Sequence, residues 1–292
     1  MKQTMNAKVQ MITAMSVFGT IGVFVRNIPL PSSVLACARG FIGMGFLLLV
    51  LAVSRQKISA SEVRSNLWVL LFSGAGIGVN WILLFEAYRY TTVATATLCY
   101  YLAPIFIIIA APFVLKEKLT VRKVICVAAA LLGMVLVSGI LQGGLPGADE
   151  LKGILLGLSA AVLYAAVVLA NRFLHDISAY TKTVMQLGIA AAVTVPYILL
   201  TEDLSVISLT PVQVLLVAFL GIVHTGVAYT LYFSSLGRLK MQTAAIFSYI
   251  DPVMAVLLSA LLLREPLGMV GIVGAVLILG SALVSELPGK ES

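Results

Sequence analysis

The 292-residue chain is strongly apolar: 61% of its residues are hydrophobic and 11% are charged, and its mean hydropathy is +1.08. Soluble domains carry about one-quarter charged residues, so this composition excludes them and indicates an integral membrane protein. The net charge of +7 does not indicate nucleic-acid binding, because the basic residues lie scattered between apolar runs. That distribution is typical of loops that face anionic lipid and cytoplasm.

Apolar runs long enough to cross a bilayer, which takes about 20 residues, occur ten times along the chain. The predicted spans are 8–26, 33–53, 67–88, 93–115, 121–140, 152–173, 181–200, 211–235, 243–263 and 268–286. The first run resembles a secretory signal peptide, but similar runs follow and the second half has its own counterpart of it. We therefore interpret it as a retained helix and predict an all-α integral membrane protein.

One stretch of the sequence occurs twice at a constant spacing. The matched pairs, each 148 residues apart, are Thr95 and Thr243, Ala96 and Ala244, Tyr101 and Tyr249, Pro104 and Pro252, Leu115 and Leu263, Glu117 and Glu265, and Leu119 and Leu267. A half-length repeat indicates an internal duplication. We predict two five-helix repeats, residues 1–142 and 151–292, joined by a glycine-containing linker at 143–150.

The distribution of Lys and Arg predicts the topology. If the N-terminus is cytoplasmic, most basic residues fall in cytoplasmic segments, such as the one that holds Lys116, Lys118, Arg122 and Lys123. We therefore expect a multi-pass protein of the plasma membrane with both termini in the cytoplasm. An odd number of spans per half turns the second repeat upside down relative to the first, a plan common in secondary transporters.

The paired Thr-Ala…Tyr-Leu/Ile-Ala/Asp-Pro…Glu-x-Leu blocks, the ten spans and the duplication resemble the EamA family of the drug/metabolite transporter superfamily. The resemblance implies ten-helix carriers with cytoplasmic termini and a central cavity lined by helices 1, 3, 4, 6, 8 and 9. It also implies export or exchange of amino acids, other small metabolites or drugs. Asp251 departs from the Glu that family members often carry before the helix-9 proline, and its shorter side chain reaches less far.

Ionisable residues inside the predicted spans are costly in a bilayer, so each is a candidate substrate-binding residue. Arg39 could anchor a substrate carboxylate or phosphate, or extend to the outer headgroups. Asp251, directly before Pro252 where the helix is expected to open, could bind a cation or proton, or bond freed backbone amides. His224 could serve proton coupling, or hydrogen-bond between helices as a neutral side chain.

Polar aromatic side chains at mid-span depth form a second set of candidates, because aromatic membrane anchors prefer the span ends. Ordinary helix packing is the alternative for each of them. With Asn80, they are expected to line an amphiphilic cavity: Trp81, Tyr101, Tyr164, Tyr229 and Tyr249. Pro104 and Pro252 are expected to act as hinges or helix breaks.

Three further acids are expected to be structural. Glu86 can form an i,i+3 ion pair with Arg89 at the end of its span. Glu117 and Glu265 lie at helix ends, where a carboxylate pairs with Lys or Arg or bonds the free amides of the following helix.

These features favour a secondary transporter that exports a small amino-acid-like or amphiphilic metabolite by alternating access around the cavity. The alternatives are a membrane-embedded enzyme or lipid-handling protein, and a multidrug exporter of cations. No catalytic residue, metal site or cofactor is expected, because the sequence has no His-Glu-x-x-His, Gly-x-Ser-x-Gly or ATP-binding motif. The expected partners are the substrate and membrane lipid, with protons as an open alternative and no nucleic acid; monomer and homodimer both remain open.

Overall fold

The structure, a computed structural model, describes residues 2–55, 58–114, 116, 120–137, 146–207, 209–236, 238–239, 247–265 and 267–286. These residues form helices and contain no β-strand. The α-helices are α1 Lys2–Gly19, α2 Ile21–Arg26, α3 Ser32–Val53, α4 Ala60–Ser65, α5 Leu67–Tyr90, α6 Val93–Tyr100, α7 Ala103–Val114, α8 Val121–Val137, α9 Ala148–Ala170, α10 Ala179–Thr201, α11 Pro211–Phe219, α12 Ala228–Leu236, α13 Ile250–Leu262 and α14 Met269–Glu286. Short 3-10 segments occur at Asn171–Phe173 and Leu204–Val206, and a π-helical segment, Leu220–Val227, joins α11 to α12.

Seven helical stretches of the described chain are long and apolar enough to cross a membrane. They are Asn6–Arg26, Ser32–Val53, Leu67–Tyr90, Val93–Val114, Ala148–Phe173, Ala179–Thr201 and Pro211–Ser235. Each coincides with a predicted span to within a few residues. Helices α8, α13 and α14 occupy the three remaining predicted spans with shorter described lengths. Part of the predicted linker, 143–145, and the start of the second repeat block, 243–246, lie outside the described residues.

Several helices begin where the sequence supplies a capping side chain. The hydroxyl of Thr92 accepts a hydrogen bond from the Thr95 amide at the start of α6. Thr210 and Gln213 form a reciprocal capping box at the start of α11, with Pro211 as the first helical residue. These contacts satisfy amides that have no partner within their own helix, and proline has no amide to satisfy there.

The predicted helix breaks lie next to the two repeat prolines. Helix α6 ends at Tyr100 and α7 begins at Ala103, so Pro104 is the second residue of the new helix. In the second half, a turn at Tyr249 precedes α13, and Pro252 lies in the first turn of that helix. A proline is tolerated in a first turn, because the missing N–H has no intrahelical acceptor there.

Helices from equivalent positions in the two halves pack against each other in opposite directions. Near the start of α8, the Arg122 guanidinium donates to the Val284 carbonyl near the end of α14. Further along α8, Gly133 meets Gly274 near the start of α14. A Cβ at Gly133 would lie 2.7 Å from the Gly274 carbonyl oxygen, so this close approach requires glycine.

Helices α3 and α10 cross in the same antiparallel manner. The Ser33 hydroxyl donates to Glu202 Oε1 at 2.6 Å near the start of α3 and the end of α10, and Gly40 contacts Ala191 farther along. The first helix of each half also packs against the third predicted span of the other half. Helix α1 packs against α12, and its counterpart α9 packs against α5, the counterpart of α12.

Glu265 joins three helices at the end of α13. Its carboxylate accepts hydrogen bonds from the Val93 amide at 3.0 Å and the Ser259 hydroxyl at 2.9 Å, and it pairs with Arg26 at 3.1 Å. Glu265 therefore makes structural contacts, as the sequence predicts. The amide that it binds, however, belongs to α6 and not to the following helix. Glu117 lies outside the described residues.

The predicted ion pair between Glu86 and Arg89 is present at 3.7 Å. The Ser32 hydroxyl also donates to Glu86 at 2.6 Å. In the turns that follow the repeat blocks, Lys116 and Arg264 are 148 residues apart and share a left-handed φ of 56°. The repeat thus extends to an uncommon backbone conformation.

Candidate functional site

The helix breaks of the two halves meet at the centre of the molecule. The Tyr101 hydroxyl, in the turn between α6 and α7, donates to Asp251 Oδ2 at 2.6 Å. The rings of Tyr101 and Tyr249, which are equivalent in the repeat, lie 6.4 Å apart. Toward the start of α6, the Ala94 amide donates to Ser259 Oγ at 3.3 Å. The span of α6 and the span of α13 are therefore antiparallel as well.

Asp251 is half-buried and lies in the first turn of α13. Within the described part of the chain, no backbone amide donates to its carboxylate; its hydrogen-bond partner is Tyr101. Gly19 approaches from α1, where a Cβ would lie 2.5 Å from the Asp251 carbonyl oxygen. The geometry thus favours an acid that binds a side chain of the other half over one that satisfies freed amides.

Arg39 is buried inside the protein at 4% exposure. Its Nε donates to Thr225 Oγ1 at 2.7 Å. Its Cζ lies 4.4 Å from the centre of the Trp81 ring and 5.8 Å from that of Phe85. The guanidinium therefore points into the helix bundle and does not extend to the lipid headgroups.

The charge of Arg39 is incompletely compensated. No carboxylate of the described chain lies within ion-pair distance of it, and its Nη1 and Nη2 have no described hydrogen-bond acceptor. Burying an ion costs several kcal/mol. One hydrogen bond to a charged group contributes about 1.5–3 kcal/mol, and a desolvated cation–π contact about 2 kcal/mol. The forked Nη1/Nη2 edge thus remains available to water or to an anion.

Thr225 owes its position to the π-helical segment Leu220–Val227. The first half has the five-residue block Gly74–Gly78 (GAGIG), whereas the second half has six residues, Gly221–Gly226 (GIVHTG). A π turn accommodates one extra residue between α-helical flanks. After it, Phe85 and Phe233 match again at the 148-residue spacing. The apolar periodicity of the span did not indicate this segment.

His224 lies next to Thr225 in the π segment and is fully buried. Its Nε2 is 2.7 Å from the hydroxyl of Thr20, at the break between α1 and α2. The imidazole also contacts the rings of Phe24 and Phe219, with centroid distances of 5.0 and 5.4 Å. This environment favours a hydrogen bond between helices over a proton-coupling role. Two consecutive side chains of the π segment thus bind two different helices.

The predicted aromatic residues form two groups. Tyr100 lies 5.4 Å from Tyr164 and 6.0 Å from Tyr101, measured between ring centroids. On the other side, Tyr229 lies 5.3 Å from Phe18. Tyr229 also lies close enough to Arg39 to interact with it electrostatically. Aromatic rings therefore lie beside both Arg39 and Asp251.

Asn80 is buried and binds other helices. Its Nδ2 donates to the Ala160 carbonyl at 2.6 Å, and its Oδ1 accepts from the Tyr100 hydroxyl at 3.5 Å. It ties α5 to α9 and positions Tyr100. Tyr164, six residues before the end of α9, is 39% exposed.

The structure thus brings Arg39, Trp81, Tyr101, Tyr229 and Asp251 toward one central region. His224 lies on the other side of the π segment. Sequence reasoning missed Thr20, Phe85 and Thr225; for Thr225 the signal was the unequal length of the two glycine blocks. The described residues hold no group of three or more His, Cys, Asp or Glu side chains that could bind a metal.

Comparison with known proteins identifies relatives over nearly the whole chain. The sequence matches the EamA-like transporter family twice, over residues 6–139 and 151–286. An uncharacterized transporter of Bacillus subtilis (strain 168), YxxF, is 31% identical over 259 residues, which cover 88% of this chain and 82% of the relative. An uncharacterized transporter of Archaeoglobus fulgidus is 26% identical over 268 residues, 91% of each chain. A solved crystal structure with 21% identity covers 96% of this chain and 97% of its own, with a TM-score of 0.68, so the two share a fold.

Proposed function

Because the chain belongs to the EamA-like transporter family, we propose that it is a secondary transporter of the plasma membrane. It moves a small amino-acid-like or amphiphilic metabolite by alternating access around the central region. Export is the proposed direction, in line with the family resemblance. Both termini lie in the cytoplasm, as the distribution of basic residues favours.

The proposed architecture is ten membrane helices in two inverted five-helix repeats. Three pairs of equivalent predicted spans support it by crossing in antiparallel directions: α3 with α10, the span of α6 and α7 with the span of α13, and α8 with α14. Equivalent helices that pack antiparallel are expected when one half is turned upside down relative to the other. Two such halves have two mirror-related arrangements, which is the geometric basis of alternating access.

The observation that carries the transport proposal is the meeting of the two broken helices at the Tyr101–Asp251 hydrogen bond. Irregular backbone at membrane depth is tolerated where it lines a cavity or is buried in protein. The proposed substrate-binding residues are Arg39, Asn80, Trp81, Tyr101, Tyr164, Tyr229, Tyr249 and Asp251, together with His224, which lies across the π segment from Arg39. Pro104 and Pro252, directly after the breaks, are the proposed hinges.

A proton is the proposed coupling ion, with Asp251 as the group that takes it up. Among the described residues, Asp251 is the carboxylate that lies in this central region. Its hydrogen-bond partner is Tyr101, and the other titratable groups within electrostatic reach of it are Arg39, Tyr88, Tyr100 and Tyr229. His224 has a less suitable position, since its Nε2 already bonds Thr20.

Flux through proteoliposomes tests the proposal. A carrier gives saturable uptake of its substrate that is stimulated by the same substrate on the opposite side. A chemically altered product without flux would overturn the transport proposal in favour of a membrane-embedded enzyme. Uptake restricted to lipophilic cations would select the multidrug alternative.

A further inference from the structure

We infer that Arg39, Thr225 and Trp81 form a subsite for a carboxylate group of the transported molecule. The inference rests on the proposed transport function and specifies the chemistry of its cargo. The guanidinium is held on three sides: Thr225 accepts from Nε at 2.7 Å, and the rings of Trp81 and Phe85 lie against it.

The contacts orient the guanidinium and leave its far edge open. A side chain that is 4% exposed and lacks a described acceptor for Nη1 and Nη2 requires an anion or water at that edge. The parallel N–H groups of a guanidinium match the two oxygens of a carboxylate. A permanent protein carboxylate at this place would neutralise Arg39, whereas an edge without a described protein acceptor suits a ligand that binds and dissociates.

The charge of the surrounding groups favours a carboxylate over a phosphate. Arg39 is the basic side chain that the described structure brings to this region, and Asp251 lies close enough to interact with it electrostatically. A phosphate monoester carries nearly two negative charges at neutral pH and would meet one cation and one acid. A carboxylate carries one charge and meets the same cation with less repulsion.

The rings next to Arg39 favour an apolar body beside the carboxylate. Trp81 and Tyr229 are equivalent positions, 148 residues apart, and both lie near the guanidinium. Tyr100 and Tyr101 extend the aromatic wall toward Asp251. A small cargo with a carboxylate and an apolar or aromatic body is therefore the expected class.

Four probes that share a phenyl ring separate the possible head groups. They are 3-phenylpropionate, phenylalanine, phenethylamine and phenyl phosphate, added to the purified protein in detergent while its thermal unfolding is recorded. The two carboxylates are expected to raise the melting temperature. Stabilisation by phenethylamine alone, by phenyl phosphate alone, or by neither carboxylate would overturn the subsite.

Variants connect the response to Arg39. In Arg39→Gln, 3-phenylpropionate is expected to bind about thirtyfold more weakly or worse, because a buried charged contact is lost. Arg39→Lys keeps the charge but lacks the paired N–H groups of the guanidinium, so an intermediate loss of affinity is expected. Arg64→Gln, at an exposed position of α4, removes the same charge and should leave binding unchanged. Equal binding in Arg39→Gln and Arg64→Gln would contradict the inference.

Thr225 is tested as a positioning residue. Thr225→Ser keeps the hydroxyl that accepts from Arg39, whereas Thr225→Val keeps the shape and removes it. We expect Thr225→Val to bind 3-phenylpropionate about tenfold more weakly. The concentration that gives half-maximal flux should rise, while the maximal flux stays unchanged. Thr225→Ser is expected to bind as the unmodified protein does. If both variants bind alike, Thr225 does not position Arg39.

Flux measurements keep this inference separable from the transport proposal. Saturable phenethylamine flux that is unchanged in Arg39→Gln would remove the carboxylate subsite and leave a carrier. Binding of 3-phenylpropionate that depends on Arg39, without flux of any probe, would support the subsite and count against transport.

Discussion

Equivalent positions at the start of α13 and α7 carry Asp251 and Ala103, each directly before a repeat proline. A second contrast lies on α3 and α10, where Arg39 and Gln186 are each the eighth residue of their helix and lie 147 residues apart. The Gln186 amide donates to Ser73 at 2.7 Å and to Asn171 at 2.8 Å, so its donors are used within the protein. Arg39 keeps unused donors at the centre.

The glycine blocks of α5 and the π segment make the third difference. The shorter block continues a regular α-helix, and the longer one presents His224 to Thr20 and Thr225 to Arg39. The scaffold residues of the repeat are shared, whereas Arg39, Asp251 and the π segment each belong to one half. Duplication thus supplies the framework, and the chemistry lies where the two copies have diverged.

Deleting Val223 tests the contribution of the extra residue most severely. The deletion gives the second half a five-residue block, so the π turn is expected to become α-helical with its flanks in place. Thr225 then loses its contact with Arg39 and His224 its contact with Thr20. We expect saturable flux to fall about a hundredfold, while the purified protein remains monodisperse and unfolds cooperatively.

The matched control is deletion of Ile77 in the first half. An α-helix has no extra residue to lose, so this deletion rotates one end of α5 against the other by about 100°. Misfolding is expected instead of a folded, inactive protein. If the Val223 deletion variant shows the same flux as the unmodified protein, the π segment is not required for transport.

Asp251→Asn tests the acid that has no counterpart in the first half. The substitution keeps shape and hydrogen-bonding capacity but removes the ionisable group. We expect flux to fall about tenfold or more, and the remaining flux to ignore an imposed proton gradient. Transport that responds to the gradient as strongly in Asp251→Asn as in the unmodified protein would exclude this residue as the proton acceptor.

Tyr101→Phe and Tyr249→Phe extend this comparison to the equivalent tyrosines. The Tyr101 hydroxyl donates to Asp251. Tyr249 is the equivalent of Tyr101 in the repeat, and the position equivalent to Asp251 is Ala103. Tyr101→Phe is expected to reduce flux about fivefold and Tyr249→Phe less. Equal losses in proteoliposome flux would indicate that both act through packing.

Sequence reasoning was successful where the signal is local or repeated. Apolar length predicted the helices, and the two prolines predicted the breaks, because both effects depend on residues close together in the chain. Arg39 shows the limit. Its depth along α3 allowed either a headgroup or an interior position, and the contacts with Thr225 and Trp81 that distinguish them come from other helices.

The π segment was missed for a different reason. A single extra residue hardly alters the apolar pattern of a 25-residue span, since both flanks keep their helical periodicity. Comparing Gly74–Gly78 with Gly221–Gly226 reveals it, but such a comparison needs the repeat to be aligned within the span. Thr225 and Thr20 could not be recognised individually, because a threonine inside an apolar helix has no distinctive pattern.

Glu265, unlike Asp251, is shared by both halves, so its replacement tests the scaffold and is expected to have the smallest effect. Glu265→Ala removes the acceptor for the Val93 amide at the start of α6 and the partner of Arg26. A lost cap costs about 0.5–2 kcal/mol, and a partly exposed ion pair adds little. We therefore expect the melting temperature to fall by a few degrees, with half-saturation unchanged. Because the repeat places Glu117 at the equivalent position, Glu117→Ala should lower it by a similar amount. A large change in substrate affinity in Glu265→Ala, without a change in melting, would mean that this acid acts on transport and not on the scaffold.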